Sequence, residues 1–159
     1  FDSQQLVAVA NYTYTQSKIE VGAGDIARVF PFADQPASNF FDDGVSLTGQ
    51  SDHLVNLQLG LDDLDRLSQF TLLLKYASER VSSRGAGPLP DIIEEPGLSL
   101  DFVVRQGVNL GGNEVELKFE ARNLTGQDHE EFQTNGERRI DINSYDVGQS
   151  FSIGASLKF

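Results

Sequence analysis

The sequence predicts an all-β protein, built as an antiparallel up-and-down meander of about six strands. Three observations support this fold class. Apolar and polar residues alternate with a period of two along the chain, as they do in strands with one polar face. The 3.6-residue periodicity of an amphipathic helix does not recur. Segments rich in Gly and Asp separate the alternating runs, which is typical of turns and loops.

Each strand is predicted from its own run of alternating residues. In chain order the six strands are about Leu6 to Ile19, HLVNLQLGL from His53, about Leu67 to Val81, LSLDFVVRQ from Leu98, VELKFEAR from Val115, and about Gly148 to Phe159. The fifth strand shows the pattern most clearly. In it, four apolar residues alternate with four charged ones: Val115, Leu117, Phe119 and Ala121 against Glu116, Lys118, Glu120 and Arg122. Each strand is therefore expected to have one apolar and one polar face.

The connections between the predicted strands alternate between long and short. They contain roughly 33, five, sixteen, eight and twenty residues, and loops beyond ~12–15 residues usually carry function. Successive connections of an antiparallel meander lie at opposite ends of the sheet, so all the long ones lie at one end. This asymmetry, with strands near ten residues, is typical of outer-membrane β-barrels.

Two other folds are compatible with the same alternation. The first is a soluble β-barrel or sandwich in which one face of the sheet is exposed to water. Such a protein would bind a small apolar ligand. A small closed barrel of eight strands would need two strands more than the sequence shows. The charges in series on the fifth strand suit a water-filled lumen better than an apolar ligand cavity.

The membrane-barrel interpretation predicts the orientation of individual side chains. Six of them are expected to face lipid: Leu100, Phe102, Leu117, Phe119, Phe151 and Ile153. Five are expected to face the lumen: Asp101, Glu116, Lys118, Arg122 and Ser152. The charges of the fifth strand are expected to pair with neighbours across the lumen face, for example with Asp101 or Arg105 of the fourth strand.

Composition excludes several classes of function. Cysteine is absent, which excludes disulfides, thiolate zinc sites and cysteine nucleophiles. The formal net charge of -12 argues against a nucleic-acid partner, since binding to phosphates requires a basic surface. No run approaches the roughly 18 apolar residues that a membrane-spanning helix needs.

No catalytic, cofactor-binding or metal-binding residue is predicted, and we expect no enzyme. His53 and His129 are the only histidines, and no partnering of Ser, His and Asp nominates a nucleophile. His129 lies beside acidic residues in QDHEEF, but neighbours on an irregular loop seldom converge on a metal ion. His53 is the first residue of a strand, and we expect its side chain to have a structural role there.

The C-terminal third of the chain carries a resemblance to a known family. The segments LKFEARNLTGQDHEEF and SYDVGQSFSIGASLKF resemble the end of the TonB-dependent receptors, the gated outer-membrane transporters of Gram-negative bacteria. In that family the penultimate strand commonly ends in Asn-Leu and a turn residue, matched here by Asn123, Leu124 and Thr125. A Tyr-x-x-Gly element then introduces a last strand that ends in Phe, matched here by Tyr145, Gly148 and Phe159.

The resemblance implies a fold and a location. Barrels of this family have 22 strands, so residues 1–159 would be the closing C-terminal segment of the wall. A signal peptide, a plug domain and most of the wall would then be missing from this sequence. The location implied is the bacterial outer membrane, with lipid around the barrel and the TonB energy-coupling system engaged through the missing plug.

The resemblance also implies a function. It is the energy-coupled import of a scarce, bulky nutrient, most often a ferric siderophore and sometimes cobalamin or a saccharide. The ligand would contact the long connections, roughly Gly22 to Gln50, Ser83 to Gly97 and Gly126 to Tyr145. The alternating last strand is similar to the signal read by the barrel-assembly machinery, which would comprise Phe151, Ile153, Leu157 and Phe159.

Overall fold

The computed structural model describes residues 4–28, 33–63, 65–85 and 89–158. Twelve strands and one short 3-10 helix, Ala37–Asn39, are found among them. The strands are β1 (Gln4–Tyr14), β2 (Ile26–Ala27), β3 (Gln35–Pro36), β4 (His53–Asp63), β5 (Ser68–Ala77), β6 (Arg80–Ser83), β7 (Ile92–Glu94), β8 (Gly97–Leu110), β9 (Asn113–Arg122), β10 (His129–Asn135), β11 (Arg138–Tyr145) and β12 (Ser150–Lys158). The prediction of an all-β protein is confirmed.

The six long strands form one sheet in the order β1-β4-β5-β8-β9-β12. Every pair of neighbours is antiparallel, so the sheet is an up-and-down meander in chain order. The turn between β8 and β9 is Gly111-Gly112, with φ of 62° and 90°. Positive φ at both central residues is what a tight type I′ hairpin turn requires, and Gly adopts it without strain.

Two predicted strands end earlier than the alternation suggested. The first strand stops at Tyr14 rather than near Ile19, and the third stops at Ala77 rather than near Val81. Ser78 explains the second difference, because its hydroxyl accepts the backbone N–H of His53 at 3.1 Å in place of a strand partner. Beyond this point the chain leaves the sheet, and β6 pairs with β7 in a separate sheet.

The apolar residues of the six long strands share one face. One row of aligned residues crosses all six strands: Ala8, Leu59, Leu72, Phe102, Ala121 and Phe151. The adjacent row contains Leu6, Leu61, Phe70, Val104, Phe119 and Ile153. The residues predicted to share an apolar face, including Leu100 and Leu117, do so in this register.

This apolar face is uncovered. Leu59, on an inner strand, is 53% exposed, and Ile153, on the edge strand β12, is 84% exposed. Among the described residues, the buried hydrophobic side chains are Ala121 and Phe132. A soluble domain of this length normally buries a substantial core, so the sheet lacks the covering layer that such a face requires.

The apolar band runs obliquely across the strands. On β1 it ends at Leu6, since the next residue on that face is the polar Gln4. Leu6 lies in one row with Ile153 of β12, but there the band continues four residues further, to Leu157. The border of the band is therefore displaced by four residues, at about 3.4 Å each, between β1 and β12. These two strands are five strand spacings of about 4.8 Å apart, so the displacement corresponds to a strand tilt of about 30°.

The opposite face of the sheet carries the charges. Glu120 pairs with Lys118 at 2.6 Å and with Arg122 at 3.5 Å, all on β9. Asp101 of β8 pairs with Lys75 of β5 at 3.5 Å. In the described part of the chain, Lys118, Glu120 and Arg122 thus pair with one another, and the expected pairing with Asp101 or Arg105 of β8 is not found. Lys118 lies directly opposite Arg105, and like charges in that register repel.

Within the described ranges, no sheet closes on itself, and β1 and β12 are the edges of the six-stranded sheet. No helix in this described part of the chain is long and apolar enough to cross a membrane.

Candidate functional site

The three long connections emerge at the same end of the six-stranded sheet. They are residues 15–52, 78–96 and 123–149, and the antiparallel strand order places all of them beside the end of β1 at Tyr14. The three stretches predicted to contact a ligand fall on these connections. At the other end of the sheet, the two connections between its strands are short: four residues, 64–67, from β4 to β5 and two, Gly111-Gly112, from β8 to β9.

Two of the long connections fold together into a second sheet. Its order is β11-β10-β7-β6, and we call these four strands the cap sheet. Phe132 of β10 pairs with Ile93 of β7, which in turn pairs with Val81 of β6. Phe132 is one of the few buried apolar side chains, and the guanidinium of Arg139 lies 3.9 Å from its ring centroid. The cap sheet therefore has a small core of its own, closed by a cation–π contact.

Arg139 is also the centre of an ion-pair cluster. Its guanidinium donates to the carboxylates of Glu130 and of Asp141, the latter at 2.9 Å, and Glu95 lies 3.9 Å away. The hydrogen bonds to Glu130 and Asp141 raise the pKa of Arg139 above its ordinary value. This cluster links β11, β10 and the segment that precedes β8.

Glu131 makes a second set of contacts in the cap sheet. The hydroxyl of Ser82 and the side-chain amide of Asn143, the latter at 3.2 Å, donate to its carboxylate. These hydrogen bonds hold the pKa of Glu131 below its ordinary value, with a smaller effect of His129, whose Nε2 lies 3.7 Å away. Glu131 thus joins β10 to both β6 and β11.

A bidentate ion pair holds the hairpin of β6 and β7. Arg80 donates from Nε and from one terminal nitrogen to the two carboxylate oxygens of Glu94, each at 2.7 Å. The hydrogen bonds to Glu94 raise the pKa of Arg80 above its ordinary value. Such forked pairs fix both side chains in one geometry.

The first long connection is bonded to the second. The backbone N–H of Gly49 donates to the carbonyl oxygen of Val81 at 2.7 Å. Arg84 donates to the carbonyl of Ser46 and pairs with Asp91 at 2.5 Å. Between these two connections lies a cavity of about 130 Å³, lined among others by Phe41 and Arg84. The three connections are therefore one continuous surface.

The motif residues lie at the junction of the third connection with the sheet. Asn123 and Gly148 contact each other, as the side-chain amide of Asn123 donates to the Gly148 carbonyl at 2.9 Å. Leu124 donates its backbone N–H to the carbonyl of Leu100 at 2.8 Å. Tyr145 lies apart from these residues and stacks on His129, with ring centroids 4.7 Å apart. Asn123, Leu124 and Gly148 therefore connect the third connection to the six-stranded sheet.

Three of the four residues of the predicted assembly signal lie on β12. Phe151, Ile153 and Leu157 share the apolar face and are exposed. They lie opposite Ala121, Phe119 and Val115 of β9. Phe159 lies outside the described residues.

The two histidines each contact tyrosines. The Nδ1 atom of His53 and the hydroxyl of Tyr12 are 2.9 Å apart, and the His53 ring lies 5.2 Å from that of Tyr14. Over the ranges that the structure describes, no three His, Cys, Asp or Glu side chains are grouped so as to hold a metal ion.

Arg80, Glu131 and Arg139 were not among the residues that the sequence pattern predicted for the site. One signal could have indicated their surroundings. Asn135-Gly136 lies between two polar, partly alternating segments, and Asn-Gly is a strong marker of a tight hairpin. That hairpin is the pair of β10 and β11, which holds Glu131 and Arg139.

Comparisons of this chain with protein-family models, with curated proteins and with solved structures find no match.

Proposed function

We propose that this chain is the closing wall segment of a TonB-dependent outer-membrane receptor that imports a scarce, bulky nutrient such as a ferric siderophore. The observation that carries the proposal is the uncovered apolar band, which crosses all six long strands. Soluble monomers rarely expose contiguous apolar patches above a few hundred Å². Contact with the hydrocarbon core of a bilayer would remove the apolar side chains of this band from water.

The height of the band agrees with the proposal. On β1 the band extends from Leu6 to Tyr14, which is about 27 Å along the strand at about 3.4 Å per residue. With a tilt of about 30°, it spans about 24 Å along the membrane normal, close to the ~25 Å apolar band of outer-membrane barrels.

The borders of the band also support the proposal. At the end with the long connections, the apolar face finishes in Tyr12, Tyr14, His53 and Tyr76. Aromatic residues at this level are typical of the girdles at the two membrane interfaces. At the other border of β1, β4 and β5, the face becomes polar at Gln4, Asp63 and Ser68.

The remaining parts of the proposal follow from the resemblance. The open edges β1 and β12 would pair with strands of a 22-stranded wall, which would also remove two hazardous free edges. The charged face would line the lumen, where a plug domain would connect the receptor to TonB. The strand β12, which Phe159 follows in the sequence, would be the segment that the barrel-assembly machinery reads.

The proposal is tested by deleting the gene for the full-length protein in its own bacterium. We expect the protein in outer-membrane fractions of the parent strain, and we expect the deletion strain to lose uptake of radiolabelled iron when iron is scarce. A protein that fractionates with soluble proteins and stays monomeric in detergent-free buffer would contradict the proposal and favour a soluble ligand-binding barrel.

A further inference from the structure

A groove of about 380 Å³ lies where the apolar band ends near the short turns, and we call it the border groove. Leu61 of β4 and Phe70 of β5, which lie opposite each other in the band, form its apolar wall. Asp63 and Ser68, the next aligned pair on the same face, form its polar wall together with Arg66 of the turn. The border groove therefore has one apolar and one polar side.

Hydrogen bonds within the protein hold the polar wall in place. The backbone N–H of Arg66 donates to the carboxylate of Asp63 at 3.1 Å, and the side-chain amide of Gln106 donates to the Arg66 carbonyl at 3.1 Å. Ser68 donates its hydroxyl to the side-chain carbonyl oxygen of Gln106. These bonds fix the backbone at Arg66, whereas its side chain extends beyond them.

The guanidinium of Arg66 is accessible to a ligand. The side chain of Arg66 is 81% exposed, and its Nε lies 4.0 Å from the carboxylate of Asp63. In the ranges that the structure describes, no hydrogen bond engages this guanidinium, whereas those of Arg80 and Arg139 donate to carboxylates. An exposed ion pair of this length contributes little to stability, so a second anion can compete with Asp63 for Arg66.

The position of the border groove indicates the kind of anion. In the proposed receptor the groove lies on the lipid-facing side, at the level where hydrocarbon meets the headgroups. An arginine at such a border extends its charged end toward the interface, while its stem lies along apolar surface. A guanidinium matches the oxygens of a phosphate with parallel hydrogen bonds. A phospholipid carries a phosphate and hydrocarbon in one molecule, as the two walls of the groove require.

We propose that the border groove binds one phospholipid molecule, with its phosphate on Arg66 and the start of an acyl chain against Leu61 and Phe70. This inference rests on the proposed function and adds a lipid-binding site to it. A free phosphate leaves the apolar wall of the groove uncovered, and hydrocarbon alone offers Arg66 no acceptor. Only a ligand with both parts contacts both walls.

The test measures lipid binding to the full-length receptor in detergent micelles by native mass spectrometry. Three probes are compared: dioleoylphosphatidylglycerol, dioleoylglycerol, which lacks the phosphate, and inorganic phosphate, which lacks the acyl chains. We expect the phospholipid to bind about fivefold more tightly than dioleoylglycerol, because one basic residue near a membrane surface contributes about this factor. Inorganic phosphate at the same concentration is expected to leave the bound phospholipid in place.

Variants of the receptor provide the second measurement. Arg66→Gln is expected to weaken phospholipid binding about fivefold, to the level of dioleoylglycerol, and Arg66→Lys to remain within about twofold of the unmodified protein. The matched control is Arg105→Gln, which removes the same charge near the short turns. Arg105 lies opposite Gln69 and Lys118 on the charged face, so its replacement is expected to leave phospholipid binding unchanged.

The outcomes separate this inference from the proposed function. Unchanged binding to Arg66→Gln, or equal losses in Arg66→Gln and Arg105→Gln, would overturn the inference. Equal binding of dioleoylglycerol, or displacement of the phospholipid by inorganic phosphate, would overturn it too. The receptor function stands in all of these cases. A full-length protein that stays monomeric in detergent-free buffer would overturn the proposed function, and the inference with it.

Discussion

The side chain of Asn123 is bonded to the backbone of Gly148, although 25 residues separate them. The Nδ2 atom donates to the carbonyls of Gly148 and of Gln127, each at 2.9 Å, and Oδ1 accepts the N–H of Gln127. Asn123 is buried and has a φ of 54°, a conformation that Asn tolerates better than most residues. One amide thus fastens the start of the third connection to its end.

Replacing this amide is expected to destabilise the junction. Asn123→Ala removes the three hydrogen bonds to Gly148 and Gln127 and places an alanine at a positive φ, so we expect a loss of about 2–3 kcal/mol in the free energy of unfolding. The measurement is urea unfolding of the full-length protein in detergent micelles. Asn123→Gly is the control for the backbone, because Gly adopts a positive φ freely and should recover about 1 kcal/mol. An unchanged unfolding midpoint for both variants would contradict the assigned role.

The two faces of β12 are expected to differ in their tolerance of charge. Ile153→Arg places a guanidinium in the apolar band, and in a bilayer this should cost about 2–4 kcal/mol near the midplane. Ser152→Arg is the matched control, because residue 152 lies on the charged face next to Glu120. The measurement is the unfolding free energy of both variants in lipid vesicles. Equal costs at the two positions would reject the assignment of the apolar face to lipid.

The cap sheet is expected to loosen in acid. Hydrogen bonds from Ser82 and Asn143 favour the ionised form of Glu131 and lower its pKa in the folded state. A carboxyl group with a depressed folded pKa stabilises the fold above its ordinary pKa of 4.5 and loses this contribution as the pH falls through the folded value. Amide exchange of β6, β10 and β11, corrected for intrinsic rates, should therefore accelerate several-fold below about pH 4.5.

Glu131→Gln tests the origin of that pH dependence. The variant should already exchange faster at neutral pH and should show a weaker dependence on acid. Glu137→Gln, in the turn between β10 and β11, is the control and should behave as the unmodified protein does. If Glu131→Gln leaves the acid response intact, another group is responsible.

The two parallel hydrogen bonds between Arg80 and Glu94 are expected to depend on the guanidinium group of Arg80. Arg80→Lys keeps the charge but cannot donate two parallel hydrogen bonds, so the hairpin of β6 and β7 should lose roughly 0.5–1 kcal/mol. Hydrogen exchange of the amides of Val81 and Ile93 measures the effect. Arg28→Lys is the control, because the pair of Arg28 with Asp34 is far more exposed and should contribute almost nothing. Similar effects of both substitutions would show that the two parallel hydrogen bonds to Glu94 do not stabilise the hairpin of β6 and β7.

The four strands of the cap sheet were not predicted from the sequence. Its strands have three to eight residues, too few for a period of two to stand out from chance. Its pairs are also distant in the chain, as between Ile93 and Phe132. The only local signal was Asn135-Gly136, which marks one hairpin but not its partners.

The sequence by itself determined the class of fold, the six long strands and the residues on each of their faces. It could do so because alternate side chains of a strand point to opposite faces, so a pattern of residues such as Val115 to Arg122 specifies its own orientation. Only the tertiary structure decided the register between strands, and with it the oblique path of the apolar band from Leu6 to Leu157. Register, the cap sheet and the bond from Asn123 to Gly148 all depend on contacts between distant parts of the chain. Such contacts form when the whole sheet assembles, and no local pattern of residues encodes them.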